Sequence, residues 1–153
     1  DLLTIGGKEC MTELHLEDFP LQTFDKVRYA DTDRQGHVNN SVFSTFLETG
    51  RVEAMYNPEF DILAENSSFV IAALKLDFLR EITWPGQVAI GTGILSVGNS
   101  SIKFHQRLFQ NGKCVARAET VIVQIDNDRR RSSPLTDNAR EILSHWLLNN
   151  VDE

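Results

Sequence analysis

The sequence predicts an α+β domain in which one long helix lies against an antiparallel sheet of five strands. Three observations carry that prediction. A helical apolar period runs over about 40–56; four long β-type stretches follow it; and Asn111-Gly112 joins the last two as a tight hairpin. The composition fits such a domain, with 153 residues, 41% hydrophobic and 24% charged. A chain of this length buries roughly 68–70% of its unfolded surface and needs no staples. With 15 Lys+Arg against 22 Asp+Glu the formal charge is −7, which disfavours general nucleic-acid binding. No apolar run approaches the roughly 18–20 residues that span a bilayer. Cys10 and Cys114 cannot build a disulfide framework, and no Cys/His spacing suggests a metal site. No basic leader with an apolar core is visible, so a cytoplasmic location is expected.

Residues 1–22 are expected to form an N-terminal extension and 23–153 a single domain, with Met11 opening a more natural-looking stretch than the aperiodic residues before it. Phe24 to Ala30 mixes Phe24, Val27 and Tyr29 with charges and reads as a short strand. Asp31 to Asn40 is polar and contains Gly36, which makes it a loop. Val42, Phe43, Phe46, Leu47, Gly50 and Ala54 then define one face of a helix, with Asn39 or Asn40 as its cap and Asn57-Pro58 as its stop. Strands follow over Phe69–Leu79 and Val88–Val97, with the turn Trp84-Pro85-Gly86 between them. Gly91 and Gly93 fall on one face of the second, where a neighbour can approach the backbone closely. Ile102–Gln110 and Lys113–Ile125 flank the hairpin turn, and a two-residue loop sets Leu108 opposite Val115 and Ile102 opposite Val121. Past Pro134, Thr136 or Asp137 caps a closing helix with Ile142, Leu143, Trp146 and Leu147 on one stripe. One helix covers one face of such a sheet, which leaves an edge or the other face for a partner subunit.

The chemistry concentrates before the long helix. Asp31, Asp33, Gly36, His37, Asn39 and Asn40 crowd against a helix N-terminus, whose unpaired amides and positive dipole end suit a carboxylate or an oxyanion. An ionised acid beside such a site is the minimum equipment for acyl transfer. Equally, Asp and Asn are the usual residues of turns and caps.

The run Tyr29-Ala-Asp31-Thr-Asp33-Arg-Gln-Gly36-His37-Val-Asn39-Asn40-Ser-Val-Phe43, followed by Phe46, Glu48 and Arg51, resembles the signature of the 4-hydroxybenzoyl-CoA thioesterase-like hotdog family. The likeness is dense over Arg28–Arg51 and looser to Pro134. It implies a hotdog fold, a long central helix wrapped by a five-stranded antiparallel sheet. It also implies an acyl-CoA thioesterase, a hydrolase cleaving the thioester of an acyl-CoA or acyl carrier protein. By position, Asp33 matches the catalytic nucleophile or general base and the backbone N–H of Asn40 the oxyanion donor. Gly36 would admit the substrate close to the backbone, and His37 and Asn39 would hold the loop or line the pocket. Tyr29 would position Asp33 or the acyl group. Phe43 stands where a tyrosine is frequent, and Asp31 is read as a loop-ordering acid. Glu48 either faces a partner's site or pairs with Arg51, three residues on. Arg80, Lys103, Arg129, Arg130 and Arg131 are candidates for the phosphates of CoA, against a reading as solvated charges. His105, beside Lys103 and Arg107, reads as part of a solvated strand face, His145 as structural, and Cys114 as a small buried hydrophobe. The resemblance implies no metal and no cofactor beyond the CoA of the substrate, and a homodimer or homotetramer with sites at subunit interfaces. Two rival activities remain at this stage: a hotdog hydratase or dehydratase on enoyl-thioesters, and a non-catalytic acyl-thioester binder.

Overall fold

A computed structural model describes residues 13–149; the aperiodic first ten residues and Met11 lie outside the described residues. Five strands form one sheet: β1 (Leu21–Lys26), β2 (Ser67–Phe78), β3 (Gln87–Val97), β4 (Ser101–Gln110) and β5 (Lys113–Asp126). Their order is β1-β3-β4-β5-β2, every neighbouring pair antiparallel. Helix α1 (Asn40–Met55) packs across β1, β3 and β4, and α2 (Asp137–Ser144) closes the chain. The expected architecture is present, with β1 somewhat earlier than expected and Tyr29–Asp31 forming a 3₁₀ turn instead of a strand end.

Helix α1 is fixed at both ends by its own sequence. The Asn39 side chain accepts from the Ser41 amide at 3.2 Å, and the chain leaves the helix at Tyr56, before Asn57-Pro58. Its inner face buries Phe43, Phe46, Leu47, Gly50, Ala54 and Met55. Phe43, Phe46 and Leu47 meet Ile90 of β3, Leu108 of β4 and Ala118 of β5 in one cluster. Ala54 and Met55 join Ile94, Phe104 and Leu143 in a second. Burying each such side chain contributes about 1.5–3 kcal/mol.

Two features of the sheet differ from the simple pattern. The hairpin holds Phe109 opposite Cys114, as a two-residue loop requires, but then places Leu108 opposite Ala116 and Ile102 opposite Ile122 instead of Val115 and Val121. Val115 is therefore the extra residue of a bulge, and the simple two-residue register fails beyond it. The outer face of the sheet is covered in part. Phe19 lies over Gly91 and Leu148 over Gly93, so close that a Cβ on either glycine would meet them within 2.5 Å. Leu14 and Phe19 are buried there, so the packed body begins before residue 23.

Candidate active site

The loop before α1 is built around its two aspartates, which the fold uses differently. Asp31 is buried and accepts from the Arg28 backbone amide at 2.9 Å and from Arg28 Nη2 at 2.8 Å. The Arg28 guanidinium holds its carboxyl below the usual carboxylate range. Its own carbonyl receives the Asn39 amide at 2.9 Å, tying the start of the loop to the helix cap. Asp31 is a structural anchor.

Asp33 is exposed at the rim. Its Oδ1 accepts from the Gln35 amide at 2.8 Å and the His37 amide at 3.1 Å, while Oδ2 has no partner among the described residues. The Gln35 and His37 amides keep the carboxyl depressed and ionised at neutral pH. Gly36 takes φ +82° in this turn, and its amide returns to the Asp33 carbonyl at 3.2 Å. A Cβ at Gly36 would meet nothing within 4 Å, so glycine serves the left-handed backbone here rather than a close approach.

Long-range bonds bring a second segment to this loop. Val38 donates to the Ile82 carbonyl at 2.8 Å, and His37 bridges Thr83. Gln110 grips Thr83 from both sides, its Oε1 accepting at 3.0 Å and its Nε2 donating at 2.8 Å. The bulge supplies the rest: the Val115 carbonyl accepts from Leu79 and Arg80 amides at 2.9 and 3.0 Å, and the Cys114 carbonyl from Arg80 Nη1 at 2.7 Å. Residues 78–81 thereby face Asp33 across an open cleft of about 480 Å³. Asp33, His37, Asn39, Asn40 and Phe43 line one side, and Phe78, Leu79, Arg80 and Glu81 the other.

Inside the cleft, Phe43 and Phe78 stack edge to face with centroids 5.0 Å apart. His37 Nδ1 sits 2.6 Å from Glu81 Oε1 but off the line of a well-formed hydrogen bond. Asn40 is the first helical residue, and no acceptor among the described residues takes its amide. A charged oxygen of Asp33 and an open amide at a positive helix end thus border one cavity.

Other expected contacts fall elsewhere. Tyr29 packs edge-on against Trp84, centroids 5.2 Å apart, outside the residues lining the cleft. Glu48 is exposed and makes no ion pair with Arg51, which turns inward to Gln106 at 3.1 Å and Thr120 at 3.5 Å. Lys103 lies on the outer face beside Glu119 at 3.5 Å. Arg129, Arg130 and Arg131 occupy an exposed turn after β5 that Asp126 caps. His145, read as structural, is solvent-facing and sits 3.2 Å from Glu141. His105 and Arg107 are buried, against the expectation of a solvated face, because Phe19 covers them. Phe78, Leu79 and Glu81 were not singled out from sequence. Phe78 and Leu79 read only as the end of a strand and Glu81 as lying just after it, which does not say what they will face.

Comparison with known proteins gives the frame for this cleft. A family model described as the thioesterase-like superfamily matches residues 27–146. The chain belongs to that superfamily. It is 28% identical over 123 residues to an uncharacterised protein, YsmA, of Bacillus subtilis, covering 78% of this chain and 82% of the relative. It is 27% identical over 105 residues to the acyl-CoA thioester hydrolase YbgC of Escherichia coli O6:H1, covering 66% and 78%. Among solved structures, a Thermus thermophilus thioesterase complexed with coenzyme A and Zn superposes with a TM-score of 0.72 at 29% identity, covering 85% of this chain and 96% of that one. The superfamily's hotdog fold is the fold described above.

Proposed function

We propose that this chain hydrolyses acyl-CoA, or the equivalent thioester on an acyl carrier protein, to free acid and thiol. The observation that carries the reading is that Asp33, with Oδ2 unpartnered among the described residues, and Asn40, with its amide likewise open, line one cleft. A thioester carbonyl oxygen set on that amide gains a donor as it becomes an oxyanion, and the helix end favours the same charge. Asp33 then either attacks the carbonyl carbon or takes a proton from the water that does. The carbon–sulfur bond breaks, and the thiolate leaves and is protonated. The second route gives the acid directly, and the first after water cleaves the acyl-aspartyl anhydride. No cofactor enters beyond the CoA of the substrate. His37 and Asn39 hold the loop, Phe43 and Phe78 face the acyl chain, and Arg80 is the cation at the cleft for a phosphate of CoA. The acyl-CoA hydrolase activity named for YbgC and the coenzyme A bound to the Thermus thioesterase support this substrate class.

The cleft also abuts an unfinished edge. β2 ends the sheet, and Ile71, Leu74 and Phe78 are exposed on it. In this reading two copies join along β2 and the cleft is completed at their interface, as a homodimer or a pair of dimers.

Replacing Asp33 with Asn keeps the shape and removes the charge. Free-thiol release from acyl-CoA is expected to fall by a factor of at least ~10². Full activity in the variant rules the assignment out. In a single turnover in ¹⁸O-water, direct attack of water always labels the product, so an unlabelled first product with the label in Asp33 identifies the anhydride route.

A further inference from the structure

The cleft occupies one side of the sheet; the opposite side holds a polar cluster that thioester chemistry does not use. There β4 directs His105 and Arg107 outward. The register places Gly93 and Glu119 beside His105, and Gly91 and Arg117 beside Arg107. The Phe19 ring lies parallel to His105 with centroids 6.2 Å apart. Under that cover His105 is 4% exposed and Arg107 7%. Arg107 Nε donates to His105 Nε2 at 3.1 Å, which makes the ring a neutral acceptor with its proton on Nδ1.

Among the described residues no acceptor takes either terminal nitrogen of Arg107; Asp77 accepts from Arg117 Nε at 3.1 Å, Glu119 sits 3.5 Å from Lys103, and the Glu13 carboxylate acts on Arg107 only through its charge. The terminal nitrogens of Arg107 stay open to the recess, and Arg117 directly across the strands adds repulsion. Arg107, Arg117, Lys75, Asp77, His105 and Glu119 line a recess of about 100 Å³. Three of these are cations and two are anions, and no lining carboxylate engages the terminal nitrogens of Arg107. A guanidinium offers paired N–H groups in a fork that matches the oxygens of an oxyanion.

We propose that this recess binds a small oxyanion, of phosphate or sulfate size, on the terminal nitrogens of Arg107, with Lys75 and Arg117 completing its surroundings. The volume suits one such ion and excludes a nucleotide. Binding there is independent of the hydrolysis proposed for Asp33.

The full chain is compared in chloride and in inorganic phosphate at equal ionic strength and pH. Phosphate is expected to raise the melting temperature by about 2 °C or more. It is also expected to shift the His105 ring resonances along a saturating curve. Arg107→Met should lose the phosphate response while hydrolysis at Asp33 persists. Equal melting in both salts, a His105 signal that does not move or does not saturate, or an unchanged response in the variant overturns the proposal. The His105 titration is read on the unaltered protein, so it decides the matter even if the variant does not fold.

Discussion

Asp33 presents two chemically different oxygens to its surroundings: Oδ1 is held by two backbone amides, and Oδ2 is left open at the cleft. The amides that fix the side chain also keep it charged, so one local turn supplies both position and ionisation. Asp31, two residues away, spends its whole carboxylate on Arg28 and none on the cleft. Spacing alone does not separate them; hydrogen-bond partners do. A third titratable residue matters for stability rather than chemistry. Burial first, then the charges of Arg107 and Arg117, lower the His105 pKa from 6.5 to about 4. Glu119 Oε2, 3.9 Å from Nδ1, is too far to offset this. The unfolded ring takes a proton in that window while the folded ring stays neutral. Its contribution is therefore complete above pH about 6.5 and is lost progressively as pH falls to about 4, by at most about 3 kcal/mol. Denaturant unfolding at pH 7 and pH 4.5 measures it. His105→Gln, which does not titrate, is expected to lose less stability between those two values than the unaltered protein.

At the scale of elements, α1 is seated by a close approach rather than by propensity. A Cβ at Gly50 would lie 2.7 Å from Ile90 Cγ2, 2.8 Å from Thr92 Oγ1 and 2.9 Å from Gln106 Nε2. Gln106 has little freedom to withdraw. It donates to the Leu47 carbonyl and to Thr92, both at 2.9 Å, and accepts from buried Arg51 at 3.1 Å. Alanine in a helix interior gains about 1 kcal/mol over glycine, but overpacking costs about 1–3 kcal/mol and here disturbs a buried polar network as well. Gly50→Ala is therefore expected to destabilise on balance, seen as a lower urea midpoint with unchanged slope. A higher midpoint would show that propensity dominates. The β5 bulge has a similar positional role. By turning the Val115 carbonyl toward Leu79 and Arg80, it delivers the segment that forms the far wall of the cleft.

Across the whole molecule, the helix and the sheet are unequal in width. α1 lies over β1, β3 and β4, so Ile71, Leu74 and Phe78 at the β2 edge stay open to solvent in one chain. An apolar strand edge of this length invites pairing, and the dimer proposed along it would couple assembly to the proposed activity, because the edge lies beside the cleft. Leu74→Lys places a charge on that surface without touching the Asp33 loop. Sedimentation is expected to show a shift from dimer toward monomer, with thiol release falling in parallel at low protein concentration. A variant that stays dimeric and fully active removes β2 from the interface.

The chain order carries much of this protein openly. Helix α1, its Asn39 cap, the Asn111-Gly112 turn and the nearness of Asp33 to Asn40 all depend on residues within a few positions of one another, so periodicity and turn chemistry suffice to read them. The far wall of the cleft, the one-residue slip at Val115 and the burial of Arg51, His105 and Arg107 could not be read that way. They arise where segments tens of residues apart meet. Which polar group is covered, and by what, is decided by those long-range contacts and not by the identity of its neighbours in the chain.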